Sequence, residues 1–461
     1  MYHLNDKGEP KPCSAKPDGR GCPYKGTPHF HTEEAARDFY SKDKTTAPSP
    51  IKKSFPHKME LSESVEELLD GLYDDFMEPY IVGGSVRDSL VSGEAPKDID
   101  IEVFSALSMD ELEKALRARR YKVDTVGKSF GVLKVVTREG DDIDISLPRR
   151  DSKVGEGHRG ISVEVDPDLT LEEAAGRRDY TINSLYYDNQ KERIIDPYGA
   201  KKDWTNKKLR HINEHFGEDP LRVLRGVQFA GRFGMVFDDD TATLAQEMRP
   251  EFHNLSKERV QTEFEKLFLK GQAKTGLLAM QQTGWDEEMG MKLTHQYVES
   301  ANGSQKRARA AGEEETVYVS AALLRNRENK RTLAGYLTIG DKRANKAVNL
   351  SEVKIPHSSD VNSKIYMRSY VRELGRKGLS VKDVYILSGN ENLRRAALGL
   401  GVFEEPESDF ITGAKVLSLS GRKGGKWVGE IIRESIALQD SGKFRDEAEA
   451  DEWLKEKIDR M

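Results

Sequence analysis

The stretch YIVGGSVRDSLVSGEAPKDIDIEVF, Tyr80 to Phe104, decides the reading of the first half of the chain. A short apolar run ends on Gly83–Gly84, and SVRDSLV opens a helix directly after the glycines. DIDIEVF alternates with period two, so Ile99, Ile101 and Val103 share one face while Asp98, Asp100 and Glu102 share the other. Asp98 and Asp100 therefore project the same way, about 7 Å apart along the strand. Two like charges so close repel unless a cation sits between them. Mg²⁺ takes oxygen ligands, usually one or two carboxylates plus substrate phosphates, and a pair of such ions can activate an attacking hydroxyl and stabilise a leaving pyrophosphate. Glycines at a strand-to-helix turn let backbone N–H groups approach a phosphate, and the helix N-terminus favours an anion. Arg87, one turn into that helix, either reaches a phosphate oxygen or pairs with Asp88. Taken singly, Asp-x-Asp is an ordinary solvated strand face and Gly-Gly an ordinary tight turn.

Outward from this stretch the pattern stays α/β. VEELLDGLYDDF has helical spacing before it, and MDELEKALRARR after it. YKVDTV, FGVLKVVT and DDIDISL read as further strands. The expected fold is α+β: a head with a mixed β-sheet backed by helices, followed by an all-α neck, body and tail. The neck is expected from three amphipathic segments, DPLRVLRGVQFAGRFG, TATLAQEMRPEF and KERVQTEFEKLFLKG.

GG-S-VRD followed by a strand carrying D-I-D resembles the signature of the polymerase-β-like nucleotidyltransferases. More narrowly, it resembles the class II tRNA nucleotidyltransferase/poly(A) polymerase family. Four later motifs occur in that family's order. DIDISLPRR places Asp144 where the family often carries a carboxylate beside the Asp pair; the other reading is a charged residue on an exposed strand. RRDYTINSLYYD resembles the family's RRDFTINA motif, which implies that Arg178, Asp179 and Asn183 contact the nucleotide's phosphates and sugar, and DPYGAKKD follows as the family's turn toward the neck. EDPLRVLRGVQFAGRFG resembles ED-x-x-R, with Asp219 and Arg222 three apart on one helix face. In the family that pair hydrogen-bonds the incoming base, so that protein side chains act as the template; Arg225 reaches the triphosphate or is simply exposed. SKERVQTEFEKLF resembles S-x-E-R-V-x-x-E-F and reads as structural, with Arg259 and Glu263 as an i,i+4 pair.

A weaker resemblance covers Phe410 to Phe444, similar to the tail of many bacterial members, where Arg422, Lys423 and Lys426 of GRKGGKW offer phosphate contacts. No His-Asp dipeptide and no histidine cluster follows residue 300, so the phosphohydrolase domain appended to many bacterial relatives is not expected. RNRENKR and MRSYVRELGRKG are basic and either track an RNA backbone or are solvated helix faces.

The resemblance implies Mg²⁺-dependent addition of C and A from CTP and ATP to tRNA 3′ ends. Asp98 and Asp100 would hold the metal, with Asp144 beside them. Gly83, Gly84, Arg87 and Arg178 would handle phosphates, Asp179 and Asn183 the sugar, and Asp219 with Arg222 the base, with Arg225 a further nucleotide-binding candidate. Poly(A) polymerase and a CC-adding or A-adding half-enzyme share this head and stay open. A non-catalytic RNA-binding remnant and a toxin-like nucleotidyltransferase are further alternatives.

The expected organisation is a small Cys/His module over 1–40, a linker over 41–60, the head over 61–205, the neck over 206–275, and a helical RNA-binding body and tail over 276–461. Cys13 and Cys22, with two of His3, His29 and His31, either form a Zn²⁺ site or leave two free thiols. The module resembles short segments on actinobacterial and phage proteins. With only those two cysteines, a disulfide scaffold is excluded for the main body. No apolar stretch approaches bilayer-spanning length and the N-terminus shows no apolar signal region, so a cytoplasmic protein without membrane partners is expected. The formal charge of −6 across 461 residues means that any nucleic acid must be held by a local basic surface.

Overall fold

The computed structural model describes residues 2–4, 10–12, 56–93, 96, 98–106, 108–128, 131–153, 161–166, 168–405 and 407–461. Cys13, Cys22, His29 and His31, and with them the zinc expectation, lie outside the described residues. The chain divides into two compact units, Met1–Val298 and Glu299–Met461.

The first unit is built on a seven-stranded mixed sheet. In chain order its strands are β1 (Glu78–Val82), β2 (Asp98–Phe104), β3 (Lys122–Asp124), β4 (Val132–Val136), β5 (Asp142–Ser146), β6 (Tyr186–Asp188) and β7 (Arg193–Ile195). They lie side by side as β7-β6-β1-β2-β5-β4-β3. β2 and β5 run parallel, while β1 with β2 and β4 with β5 are antiparallel. The α+β expectation and its mixed sheet are met.

Three helices back the sheet: α1 (Glu63–Asp74), α2 (Gly84–Ser92) and α3 (Met109–Ala118). Ser62 caps α1 by accepting from Val65 N–H, and Ser108 caps α3 by accepting from Glu111 N–H. The odd positions of β2 point into the resulting core, where Ile99, Ile101 and Val103 pack with Leu68, Leu72, Leu112, Leu133 and Ile143. Period-two alternation therefore sends every even position of β2 and β5 to the opposite face. That face is apolar only near β1 and β6, where Tyr80, Phe104 and Tyr186 meet edge to face. A separate antiparallel hairpin, Arg149–Lys153 with Ile161–Val165, was not foreseen.

After the sheet come α4 (Leu221–Phe233), α5 (Lys257–Lys270) and α6 (Ala273–Thr283). Small residues let these elements approach closely. A Cβ at Gly226 would lie 2.1 Å from Tyr180 Oη, and one at Gly231 would lie 2.2 Å from a Leu267 methyl. The TATLAQEMRPEF segment is α-helical only within Asp239–Glu247; a 3₁₀ stretch, Arg249–Asn254, follows with Pro250 in its first turn, because the proline ring cannot continue the α-helix.

The second unit is all helical from Glu315 onward. In MRSYVRELGRKG, Arg368 is bound to Glu407, and Arg372 to Asp409 and Asp440, so these two cations serve the fold. In the tail, Ile411, Val416, Ile431 and Phe444 form a small core. Arg422, Lys423 and Lys426 beside it are exposed. Among the described residues no helix is long and apolar enough to cross a membrane.

Candidate active site

The register of the parallel pair decides where the carboxylates fall. Asp98 stands opposite Asp142, and Asp100 opposite Asp144, all on the face away from the core. The side chains of Asp98 and Asp100 remain exposed. The cleft walls disfavour charge on Asp100 and push its carboxyl above the usual carboxylate range; Arg178 pulls it back, while Asp144 and Asp98 add to the rise. Lys134, next to Asp144 in the antiparallel register, holds that carboxylate at 3.3 Å. Asp144 thus sits beside the pair as expected, but with a lysine partner. Among the described residues no three acidic, histidine or cysteine groups form a ready metal cage. The donor set that fits is the exposed Asp98–Asp100 pair completed by substrate oxygens, the manner in which Mg²⁺ is usually held.

Gly83 makes the turn above this strand. It adopts φ +65°, and a Cβ there would come within 2.5 Å of Arg178 Nη1. Both the backbone and the neighbouring guanidinium therefore require glycine. Its N–H donates to Leu185 O at 2.9 Å, and α2 begins at Gly84. Gly83→Ala is expected to displace Arg178, raise the KM for nucleoside triphosphates about tenfold or more, and cost about 1–3 kcal/mol of stability. Steady-state kinetics with a melting curve check both effects.

Glu102 has the largest surprise. It follows Asp98 and Asp100 in the alternation, yet it is 0% exposed. It accepts from Arg177 at 2.8 Å, Arg178 at 3.3 Å and Tyr186 Oη at 3.0 Å. Burial alone would raise its pKa, but the two guanidinium groups outweigh burial and hold it below the ordinary value. In return Glu102 keeps the buried Arg178 guanidinium firmly charged against its own desolvation.

A chain of polar contacts then links the sheet turn to α4. Asp179 accepts Arg225 Nε at 2.7 Å, Asn183 Nδ2 at 2.7 Å and its neighbour Tyr180 N–H at 2.8 Å. Asn183 Oδ1 accepts Arg87 Nη1. Arg87 donates Nε to Asp88 at 2.8 Å, and Asp88 also accepts Arg232 at 2.8 Å. Arg87 is buried against the Phe229 and Phe233 rings, and burial lowers its pKa despite Asp88. Of the two readings of Arg87, pairing with Asp88 is observed. Asp179 and Asn183 reach the cleft, but their polar atoms are engaged with each other and with the two arginines. Asp179 stays ionised below the usual range because Arg225 and Asn183 together outweigh its burial.

Asp219 and Arg222 do not share a helix face. Asp219 precedes the helix with φ −126°, ψ 102°, because Pro220 disfavours a helical conformation in the residue before it. Its Oδ1 accepts Leu221 N–H at 3.0 Å, and its Oδ2 accepts Arg259 at 2.7 Å. The expected Arg259–Glu263 pair is replaced accordingly: Arg259 turns to Asp219, and Glu263 takes Lys266 at 2.9 Å. Arg222 is fixed by two backbone carbonyls, His215 O at 2.8 Å and Arg177 O at 2.7 Å, which leaves N–H donors to spare. Tyr180 Oη closes the arrangement by donating to Arg222 O at 2.8 Å.

Gly83, Arg87, Asp100, Arg178, the Asp179–Asn183–Arg225 cluster, Arg259 and the Asp219–Arg222 corner line one cleft of about 480 Å³ that reaches from the turn at Gly83 to α4 and α5. Eight arginine and lysine side chains face three aspartates across it. A chain of net charge −6 therefore concentrates positive charge here, as a polyanionic ligand requires. Sequence reasoning placed Glu102 on the acidic face without its burial, and missed Lys134, Gln228, Arg232 and the reach of Arg259; helical spacing from Arg222 and Arg225 was the signal available for Gln228 and Arg232.

Residues 79–210 match the poly A polymerase head domain, and residues 234–285 match the probable RNA and SrmB-binding site of polymerase A. A multifunctional CCA protein of Xanthomonas campestris pv. campestris (strain B100) is 38% identical over 213 residues, covering 45% of this chain and 49% of that protein. The chain thus spans about half the length of the curated relatives it matches. Among solved structures, the Bacillus stearothermophilus CCA-adding enzyme in complex with CTP superposes with a TM-score of 0.61 at 23% identity, covering 86% of this chain and 97% of that one. The Thermotoga maritima CCA-adding enzyme complexed with tRNA gives 0.63 at 19% identity, covering 86% and 96%. At these identities the likeness shows the fold.

Proposed function

Because the chain belongs to the class II tRNA nucleotidyltransferase/poly(A) polymerase family, we propose that its cleft transfers nucleotides from CTP and ATP to the 3′ end of tRNA, completing CCA. The observation that carries the reading is the cleft itself, in which Asp100 of the exposed aspartate pair, the glycine turn and the Asp219–Arg222 corner line one strongly basic space. The relatives named for CCA addition, and the solved ones bound to CTP, ATP or tRNA, support the choice of substrates.

In the proposed reaction the terminal ribose hydroxyl gives its proton to water as its oxygen attacks the α-phosphorus. The bond from that phosphorus to the bridging oxygen breaks, and pyrophosphate leaves with the electron pair. Asp98 and Asp100 would hold Mg²⁺, which supplies charge neutralisation at the attacking and leaving oxygens. Gly83 and Gly84 offer close backbone approach to the triphosphate, and Arg178, braced by Glu102, meets its charge. Arg87, Asn183, Asp179 and Arg225 hold one another and fix the wall that meets the sugar and phosphates. Asp219, oriented by Arg259, and Arg222, oriented by two carbonyls, present an acceptor and donors to the base edge. The rate would arise from positioning and electrostatics.

A tRNA transcript lacking its CCA end, incubated with Mg²⁺ and one labelled nucleoside triphosphate at a time, tests this reading. C incorporation without a template strand, and A incorporation on a CC end, are expected, with little G or U. Equal use of all four nucleotides would contradict the base-reading corner, and no incorporation would withdraw the function.

A further inference from the structure

Lys134 stands on the carboxylate face of the sheet, on the flank away from the turn at Gly83. The register sets Asp100, Asp144, Lys134 and Asp124 in one row across β2, β5, β4 and β3, and Asp98, Asp142, Val136 and Lys122 in the next. Leu133 and Val135 take the core side of β4, so Lys134 shares its face with the aspartates. Four aspartates thus form a block on two parallel strands. Three converging carboxylates would bind a divalent ion unaided, yet among the described residues no three acidic groups come together in that way. Lys134 explains the difference. Its Nζ lies 3.3 Å from Asp144 Oδ1. That oxygen is closed to solvent, and this ammonium is its only partner among the described residues. Directly opposed positions on antiparallel strands hold such a pair without any movement of the backbone.

An ion-paired carboxylate is a poor metal ligand, because the ammonium answers its charge and repels a second cation. Asp98 and Asp100 alone leave most of an octahedral shell to water and substrate phosphate. Resting on the nucleotidyltransferase reading above, we propose that Lys134 is a positioning residue of the metal site: by taking Asp144 as its counter-ion it limits that site to the Asp98–Asp100 pair, so that a divalent ion is held firmly only with triphosphate oxygens in its shell. The ion then arrives with the nucleotide and departs with pyrophosphate, and the free protein holds it weakly. Freed of the lysine, Asp144 would join the pair from the neighbouring strand and hold the ion without a nucleotide.

Titration of the full chain with Mn²⁺ in the absence of nucleotide, read from the electron paramagnetic resonance of the free ion, tests the assignment. Lys134→Met keeps the aliphatic stem and removes the charge; Lys134→Gln is the second variant if the first does not fold. Lys134→Met is expected to bind Mn²⁺ about tenfold more tightly than the wild type, a gain that loss of a merely structural residue does not give. Lys134→Arg restores the cation and is expected to stay within about twofold of the wild type. Lys134→Met combined with Asp144→Asn is expected to return to the wild-type affinity. Lys122→Met removes an exposed lysine from the edge strand of the same face and is expected to change nothing. An unchanged affinity in Lys134→Met, a gain that survives in the double variant, or an equal gain in Lys122→Met would overturn the assignment. These titrations decide it even if the wild type transfers no nucleotide, an outcome that would instead remove the functional reading.

Discussion

Asp100→Asn, or Asp98→Ala, is expected to lower nucleotide transfer by about a thousandfold or more while the protein stays folded. The loss corresponds to about 4 kcal/mol of transition-state stabilisation, an ordinary share for groups that hold a catalytic ion. The fold survives because both side chains are exposed and outside the core of Ile99, Ile101 and Val103. Removing either carboxylate also relieves repulsion from Asp142 and Asp144 across the parallel register, so the melting temperature should hold or rise. Single-turnover transfer and a melting curve on each variant check the pair of outcomes. A loss of less than tenfold would mean that the strand pair is not where the ion is held.

The second large effect falls on stability. Glu102→Ala leaves the guanidinium groups of Arg177 and Arg178 without the buried carboxylate that they share, and strips Tyr186 of its acceptor. Breaking a buried ion pair by removing one partner costs about 3–5 kcal/mol, and a melting temperature lowered by about 8 °C or more follows for a unit of this size. The same pair predicts an acid limb. The folded-state pKa of Glu102 lies below its ordinary 4.5, so its contribution is present in full above that pH and is lost as the pH falls through the lower, folded value. Glu102→Gln should be less stable than the wild type at neutral pH and should show a flatter loss below about pH 4.5. Melting curves from pH 3 to pH 7 measure both. A variant within about 2 °C of the wild type at neutral pH would contradict the bracing role.

What the sequence made legible was whatever short-range spacing carries. Period two placed Asp98 and Asp100 on one face, and the glycine pair located the turn that φ +65° at Gly83 demands. Periodicity could not say that the next member of that face, Glu102, lies under two arginines from a segment 75 residues later. Nor could it pair Asp144 with Lys134, which depends on which strand becomes the neighbour of β5. Asp219 was misplaced onto the helix although Pro220 carried the contrary signal. Arg259 was assigned its nearest acid by helical spacing, whereas tertiary packing offered Asp219, 40 residues away. In the second unit a basic composition suggested RNA contact for Arg368 and Arg372, but acids later in the chain, Glu407 and the buried Asp440, claim them. Motif order pointed to the candidate cleft; long-range pairing decided which charges remain available in it.

The central claim is that this cleft builds a CCA end of defined length. The most direct test is end-product analysis on four tRNA transcripts, ending in the discriminator base, in C, in CC and in CCA, with Mg²⁺ and both CTP and ATP. Products from the first three that all stop at CCA, with the fourth left unextended, are the predicted result. A stop at CC, or extension of CC alone, would reassign the protein to half of the reaction, and a long A tail would make it a poly(A) polymerase. No extension of any transcript would contradict the account.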